Sequence, residues 1–451
     1  MLEYLAYGFA GIAMLSLIML WAYSVTGCKE ICLCLYIILL GTYNLSILPG
    51  GVEIRQYTFL LIAPLFIPYL VDFFRPERFI MSSISRVTVY EALLAMILAS
   101  FIVSVFAVNI GDLKNFMGLA KALVFLGGAI FYFKYLPQKL DTNPEAWRFF
   151  NRVVVIIALI TSVFGILFYF TGFNPNPSAI GASSSFYKHP NTSAFIYSFA
   201  APILVYRLFV TEEYVSSTEK LFLTAGVLAV YIAMLLTLSR AGYVAVFIST
   251  SILIFLKSRK VFIVWVVTVV SAFAFFLQSF LFSKGSASTL SRLGLIYSAL
   301  EMLKSSNLKF LFGFGLVSVF EEFTNFKFQL GPLLEDVAYP HNSILFFIMQ
   351  FGLVAFLPTI AFTAYVLFKS WKLILADPIQ YDRLIVPFTV VVSLMSQSLL
   401  EDTVLFPEFF VYHIFMIFLG YLFFEVIIKP SRVAEKNSQA RAEDTNGLMN
   451  A

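Results

Sequence analysis

The sequence predicts an all-α membrane protein that crosses the bilayer many times. Hydrophobic residues make up 60% of the 451 residues, charged residues only 12%, and the mean hydropathy is +0.89. Soluble domains carry about twice that charge. Apolar runs of about 20 residues recur along the chain, which is the length a helix needs to cross a bilayer. These runs are continuous rather than alternating, so helices are favoured over the strands of a β-barrel.

By length, the chain contains about 13 candidate spans, and we expect about 12–13 transmembrane helices. The first, near residues 4–24, lacks the basic start and the small-residue cleavage site of a signal peptide, so it is kept as a span. The other spans are expected near residues 31–48, 57–74, 90–109, 116–135, 153–170, 192–210, 221–238, 243–256, 261–282, 343–368, 384–400 and 409–428. The ninth is short enough to be tilted or partly re-entrant.

Basic residues predict the orientation of these spans. Most of the 30 Lys and Arg residues fall in loops after odd-numbered spans and in the C-terminal tail. Such loops favour the cytoplasm, which places the N-terminus and the long loop 283–342 on the outer side. The sequence therefore divides into N-terminal transmembrane helices (1–220), a second membrane region that includes the loop (221–430), and a polar, disordered cytoplasmic tail (431–451).

The long loop has internal structure of its own. Residues 289–304 have helical spacing, and the stripe of this helix is expected to consist of Leu293, Ile296, Leu300 and Leu303. The helix carries few charges and is a candidate for the membrane interface. Phe312-Gly313-Phe314-Gly315 should end it. The segment 313–340 is expected to act as a lid or a guide for the acceptor.

Two arginines on the outer side could bind an anion. Arg240 lies in a very short turn between two spans, where it either snorkels to the interface or binds a phosphate bidentately. Arg292 is expected to open the loop helix, where a positive charge opposes the helix dipole. It should therefore have a partner, either an acid such as Glu335 or a lipid headgroup.

Histidines and carboxylates gather on the same outer side. His341 precedes a long apolar helix, so it is either a proton-transfer group or a helix cap. Glu401 and Asp402 follow the twelfth span and could mark the membrane edge, hold an arginine or orient His341. Lys188 and His189 lie at another junction between a loop and a span, and could support the same site.

Other polar residues have alternative structural explanations. Lys121 lies inside the fifth span, where it is either functional or snorkelling, and His413 in the last span is expected to pack between helices. Cys28, Cys32 and Cys34 lack the spacing of a zinc site. The sequence has no Gly-rich phosphate loop and no Asp-x-Asp pair, so we expect no metal or other cofactor. The net charge of +4 is more informative about loop orientation than about nucleic acid, and we expect no nucleic-acid partner.

Three groups of residues between about 221 and 368 resemble the O-antigen ligase and polymerase superfamily. The first group is Leu236-Thr237-Leu238-Ser239-Arg240-Ala241-Gly242. The second is Arg292 followed by Tyr297-Ser298-Ala299-Leu300-Glu301-Met302 and Gly313-Phe314-Gly315. The third is His341-Asn342-Ser343-Ile344-Leu345 with Phe351-Gly352-Leu353. Their order around one long external loop carries the resemblance.

This resemblance implies a GT-C-like helical bundle in the inner membrane of a bacterium. The activity implied is a metal-independent glycosyltransferase that takes a glycan from undecaprenyl diphosphate on the periplasmic side. The acceptor would be lipid A–core for a ligase, or a second lipid-linked glycan for a polymerase, in lipopolysaccharide or related surface polysaccharide assembly. An alternative is a flippase or transporter of lipid-linked glycans without covalent chemistry, which would need interrupted helices around a central cavity.

The same resemblance implies roles for individual residues. Arg240 and Arg292 would bind the donor diphosphate, and His341 would position or deprotonate the acceptor hydroxyl. His341 and Arg292 would thus be the catalytic residues. Glu401 or Asp402 would match the acidic residue of a late external loop in this superfamily.

Overall fold

The computed structural model describes residues 19–42, 58–73, 89–107, 110–113, 116–173, 182–187, 189–211, 215–283, 285–327, 340–401 and 410–430. This part of the chain is built of helices and contains no β-strand, which confirms the all-α class. Seven of its helices are long and apolar enough to cross a membrane, which agrees with a multi-pass membrane protein. The larger number of 12–13 spans and the GT-C-like arrangement stay predictions.

The main helices of the described residues are α1 (Lys29–Thr42), α2 (Thr58–Phe73), α3 (Val89–Ala107), α4 (Phe116–Thr142), α5 (Pro144–Thr171), α6 (Pro190–Val210), α7 (Ser217–Leu236), α8 (Arg240–Lys257), α9 (Arg259–Ser283), α10 (Gly285–Lys304), α11 (Asn307–Phe312), α12 (Ser318–Phe326), α13 (Ser343–Ala376), α14 (Asp382–Ser398) and α15 (Phe410–Ile428). A short helical turn, Ile110–Leu113, lies between α3 and α4. Each predicted span from the second onward overlaps one of α1–α9 or α13–α15. The first lies mostly outside the described residues, as does the predicted tail 431–451. The ninth predicted span corresponds to α8, which is an unbroken helix of 18 residues.

The centre of the bundle is formed by helices with bulky apolar side chains on all sides. In α15, 89% of the most apolar 18-residue stretch is buried inside the protein, whereas in α7 only 22% of the corresponding stretch is buried. A helix that is apolar all round is stable only where other helices or lipid surround it. The helices α4, α6 and α15 are therefore interior, and α5 and α7 present exposed apolar faces at the periphery.

The span α13 is interrupted at Gly352, where the long loop packs against it. Gly352 and Gly313 both have positive φ, of 76° and 87°, which glycine adopts without steric cost. A Cβ on either one would overlap backbone atoms of the other segment. The loop fills the break, because the amides of Phe314 and Gly315 donate to the carbonyls of Met349 and Gln350. Irregular backbone within a membrane is tolerated where protein groups satisfy it in this way.

The beginning of α12 is also fixed to the bundle. The carboxylate of Asp112 accepts hydrogen bonds from the amides of Val317 and Ser318 at 3.0 and 3.2 Å. Lys121 donates to the carbonyl of Leu316 at 3.1 Å, and its Nζ lies 5.0 Å from the ring centroid of Phe320. Lys121 thus joins α4 to the loop. Residues 328–339 of the expected lid lie outside the described part.

The loop helix differs from the sequence prediction in its start and in its stripe. It begins at Gly285 instead of residue 289, so Arg292 lies about two turns inside it and does not open it. The predicted stripe is kept only in part, because Leu293 and Leu300 are exposed while Leu303 is buried. The reason is tertiary packing, since α10 buries a different face against α12 and α13, made of Leu295, Ala299, Met302 and Leu303.

Candidate active site

A buried carboxylate, Glu401, lies where four segments of the chain meet. It follows the end of α14, and only 4% of its side chain is exposed. A buried charge of this kind requires partners that compensate its lost hydration. The partners of Glu401 come from α10, from the first turn of α6 and from the turn that precedes α13.

Arg292 is the first of these partners. Its NH2 group lies 2.8 Å from Oε1 of Glu401, and NH1 donates to the carbonyl of Leu400 at 3.1 Å. Two bonds to adjacent residues hold α10 against the segment after α14. The side chain of Arg292 is still 32% exposed, so part of the guanidinium faces the space outside.

Asn191 is the second partner, and it binds the same oxygen. Its Nδ2 donates to Oε1 of Glu401 at 2.7 Å. Pro190 begins α6, and His189 caps the helix by accepting the amide hydrogen of Asn191 on Nδ1 at 3.4 Å. Pro at the first helical position suits this junction because it lacks a backbone N–H. His189 is exposed and lies close enough for its charge to act on Glu401.

His341 faces the other oxygen of the carboxylate. Its Nδ1 lies 3.6 Å from Oε2 of Glu401, which is close enough for charge attraction but long for a hydrogen bond. The turn that carries this ring is held to the same segment. Ser343 Oγ donates to the carbonyl of Glu401 at 2.7 Å, and Nδ2 of Asn342 donates to the carbonyl of Leu399 at 2.8 Å. Asn342 also caps α13.

These neighbours determine the charge of Glu401. Burial alone would raise the pKa of this carboxyl group, but the adjacent His341 ring and the charges of Arg292 and His189 outweigh burial and lower the pKa to about 2. Glu401 is therefore ionised near neutral pH. A fixed negative charge in this place can orient the His341 ring.

Arg240 lies beside this cluster, at the first residue of α8. Ser239 caps the helix by accepting the amide hydrogen of Gly242 at 3.3 Å. The preceding residue, Leu238, has φ of 51°, which costs a non-glycine residue about 1–3 kcal/mol. Arg240 is close enough to Arg292 for their like charges to repel. Two guanidinium groups whose charges act on each other, with Arg240 at the N-terminus of α8, favour a ligand with more than one negative charge.

The structure thus brings together most of the residues that the sequence singled out. Arg240, Arg292, His341, His189 and Glu401 lie around one place, which we call the Glu401 cluster and which also includes Asn191. The predicted supporting residues Lys188 and Asp402 lie outside the described residues. Glu335, which the sequence offers as a partner of Arg292, also lies outside the described residues. The carboxylate bound to Arg292 is that of Glu401.

Asn191 was not among the predicted site residues, although the junction from Tyr187 to Asn191 resembles one of the same superfamily. The signal from the residue itself was its place directly after His189 and Pro190, where a polar side chain begins an otherwise apolar helix. His413, by contrast, lies in the interior as expected, with Nδ1 2.8 Å from the hydroxyl of Tyr132. In the part of the chain that the structure describes, no three His, Cys, Asp or Glu side chains form a group that could hold a metal ion.

Comparison with known families adds to this geometry. Residues 225–360 match the O-antigen ligase family model. The match confirms the resemblance to the O-antigen ligase and polymerase superfamily, and it supports a membrane enzyme of surface-polysaccharide assembly that transfers glycosyl groups. It includes Arg240, Arg292 and His341, whereas Asn191 and Glu401 lie outside it. A search of curated proteins found no match to the chain.

Proposed function

We propose that this chain transfers a glycan from undecaprenyl diphosphate to an acceptor hydroxyl during surface-polysaccharide assembly. The reaction would take place on the periplasmic side of a bacterial inner membrane. The observation that carries the proposal is the buried carboxylate of Glu401, which binds Arg292 through one oxygen and faces His341 with the other. In the proposed function, a group that binds an anion and a group that transfers a proton thus lie next to the same carboxylate.

The two arginines suit the diphosphate of the donor. Arg292 keeps part of its guanidinium exposed while Glu401 and Leu400 hold the rest. Arg240 lies beside it at the N-terminus of α8. A bound diphosphate would relieve the repulsion between the two arginines. It would also gain negative charge as it leaves, which the same groups would stabilise.

His341 suits the acceptor hydroxyl. Glu401 lies next to Nδ1, so Nε2 is the nitrogen available to the acceptor. In the proposed step, Nε2 takes the proton of the hydroxyl and the hydroxyl oxygen bonds to the anomeric carbon of the glycan. The bond from that carbon to the diphosphate oxygen breaks, and the electron pair leaves with the lipid diphosphate. The arginines supply charge stabilisation, so we propose that no metal ion takes part, and EDTA should leave the rate unchanged.

The function can be tested in a strain that lacks the gene and is complemented with variants. His341→Ala and Arg292→Ala should reach the membrane at normal levels but fail to restore surface polysaccharide. Lys304→Ala is the matched control, because Lys304 is an exposed basic residue of the same loop helix. Full restoration by both site variants would overturn the proposal.

The same strain separates the two acceptors. A polymerase defect should leave single repeat units attached to lipid A–core, because ligation continues without chain growth. A ligase defect should leave polymer on the lipid carrier and a bare core. The Glu401 cluster as proposed suits both reactions, because each uses a lipid diphosphate as donor and a hydroxyl as acceptor.

A further inference from the structure

An exposed row of apolar side chains runs along the loop helices next to Arg292. The row, which we call the apolar stripe, has side chains that are 41–59% exposed and consists of Leu293, Tyr297, Leu300, Leu308 and Leu311. The first three follow each other at helical spacing over about 10 Å of α10. The other two are exposed on α11, which follows α10 after two residues.

The opposite face of α10 already serves the fold. Leu295, Ala299, Met302 and Leu303 pack with Phe314, Val319 and Phe323 in a small core beside α13. The apolar stripe is therefore not needed to hold α10 in place. Patches of this kind on a protein surface mark contact with another molecule or with a membrane.

The neighbouring helix indicates what covers the stripe. Only one residue separates α10 from α9, a helix of 25 residues whose exposed side chains include Val261, Ile263, Val264 and Val267. An aliphatic face of this kind on a long helix in a membrane protein faces lipid. The helix α10 begins where α9 ends, and the stripe contains Tyr297, a residue type enriched where protein meets the bilayer interface.

We infer that α10 and α11 lie on the bilayer surface, with the apolar stripe inserted among the lipids of the leaflet nearest the Glu401 cluster. Helices that lie in the plane of the membrane interface bury their lipid-facing side by about 5–10 Å in the boundary between headgroups and acyl chains. Arg292 directly precedes Leu293, so the guanidinium comes to lie at the level of the lipid headgroups. An anionic group on a lipid could reach Arg292 there without leaving the membrane.

Site-specific fluorescence tests this placement in the full-length protein. Cys28, Cys32 and Cys34 are replaced by Ala, and a cysteine is introduced as Leu300→Cys or Leu308→Cys. The matched control is Thr324→Cys, an exposed polar position on α12 of the same loop. Each variant is labelled with an environment-sensitive dye and reconstituted in vesicles of phosphatidylethanolamine and phosphatidylglycerol.

Quenchers then report what surrounds each position. We expect the dye at residues 300 and 308 to shift its emission to the blue and to be quenched by lipids with a nitroxide near the headgroup. The dye at residue 324 should be quenched by aqueous iodide instead. Iodide quenching at 300 and 308 would overturn the inference, because the stripe would then face water.

Protection of residues 300 and 308 from both quenchers would also overturn it, because a second protein surface would then cover the stripe. Variants that do not elute as monodisperse protein are replaced by Tyr297→Cys, which samples the same face. The measurement needs no glycan donor, so its outcome does not depend on the proposed transfer activity.

Discussion

Oxygen Oε1 of Glu401 accepts hydrogen bonds from both Arg292 and Asn191, and this leaves Oε2 towards His341. Two donors on one oxygen fix the rotation of the carboxylate. The His341 ring is thereby oriented although its own contact with the carboxylate is 3.6 Å long. Asn191 would then affect the reaction through Glu401 without touching the substrate.

Substitutions of Asn191 should therefore separate the effect of the orientation of the Glu401 carboxylate from the effect of its charge. We expect Asn191→Ala to slow transfer by about 10-fold, because Glu401 loses one of the bonds that fix it. Asn191→Asp should in addition raise the pKa of Glu401, since a second carboxylate would lie beside it. The pH dependence of the transfer rate measures both effects. If the transfer rate of Asn191→Asp falls at the same acidic pH as that of the unchanged protein, this role is contradicted.

The low pKa of Glu401 predicts how stability depends on pH. The pKa is about 2 in the folded protein and 4.5 for the ordinary group, so the unfolded chain binds the proton more readily. The resulting stabilisation is complete above about pH 4.5 and is lost as the pH falls towards about 2. Glu401→Gln removes this dependence.

The unfolding temperature in detergent provides the measurement. The difference between the unchanged protein and Glu401→Gln should be largest near pH 6 and smaller at pH 3. Glu321→Gln is the control, because Glu321 is exposed on α12. A difference that stays constant from pH 6 to pH 3 would contradict the assignment of the charge to Glu401.

For single residues, the sequence predicted which side chains belong to the site better than it predicted which of them contact each other. Arg240, Arg292 and His341 stood out because charged and titratable groups are rare in so apolar a chain. The partner of Arg292 stayed open between alternatives, since the sequence allowed Glu401 or Asp402 to hold an arginine, but Glu335 was nearer and Glu401 lies 109 residues further along the chain. Asn191 carries no charge and therefore gave no comparable signal.

At the scale of elements, the most informative feature is the contact between the Gly313 segment and the break in α13. The sequence marked both glycine motifs but could not show that they meet, because backbone contact between distant segments has no periodicity. It also placed the start of the loop helix at residue 289, where Ser and Thr resemble an N-cap. The structure continues the helix upstream to Gly285.

Substitution at Gly352 tests whether the break in α13 depends on this contact. Gly352→Ala adds a Cβ that overlaps the backbone of Leu311, and it also demands a backbone conformation (φ 76°, ψ 175°) that essentially only glycine adopts. Gly172→Ala is the comparison for the left-handed helical conformation alone, because Gly172 has φ of 71° and ψ of 5° and no atom lies within 4 Å of an added Cβ. The control should lose about 1 kcal/mol of stability.

Gly352→Ala should lose clearly more, about 3 kcal/mol, because steric overlap adds to the backbone strain. The free energy of unfolding in detergent and denaturant measures the two losses. Equal losses for both variants would mean that the loop moves away from α13 without difficulty.

At the scale of the whole molecule, the Glu401 cluster joins regions that the sequence divided. His189 and Asn191 come from region 1–220, and the remaining members come from region 221–430. We expect neither region to retain the proposed activity alone, although the division itself stays a prediction. The fold class followed from composition and apolar runs, because the length of a membrane helix is fixed by the bilayer.

The orientation of the bundle can be tested by chemical labelling in cells. With Cys28, Cys32 and Cys34 replaced by Ala, Asn307→Cys in the loop should react with a membrane-impermeant maleimide added outside. Arg259→Cys, between α8 and α9, should react only after the membrane is opened. This follows from the basic cluster around residue 259, which favours the cytoplasm. The reverse pattern would contradict the predicted sidedness.

The central claim is that Glu401 and His341 act together in glycosyl transfer. It is tested most directly by the transfer rate of purified, reconstituted protein with a lipid-diphosphate-linked glycan and its acceptor. We predict that Glu401→Gln and His341→Ala each slow transfer by about 100-fold or more. Glu321→Gln should leave the rate unchanged. A Glu401→Gln protein that folds normally and transfers glycan at the unchanged rate would contradict the account.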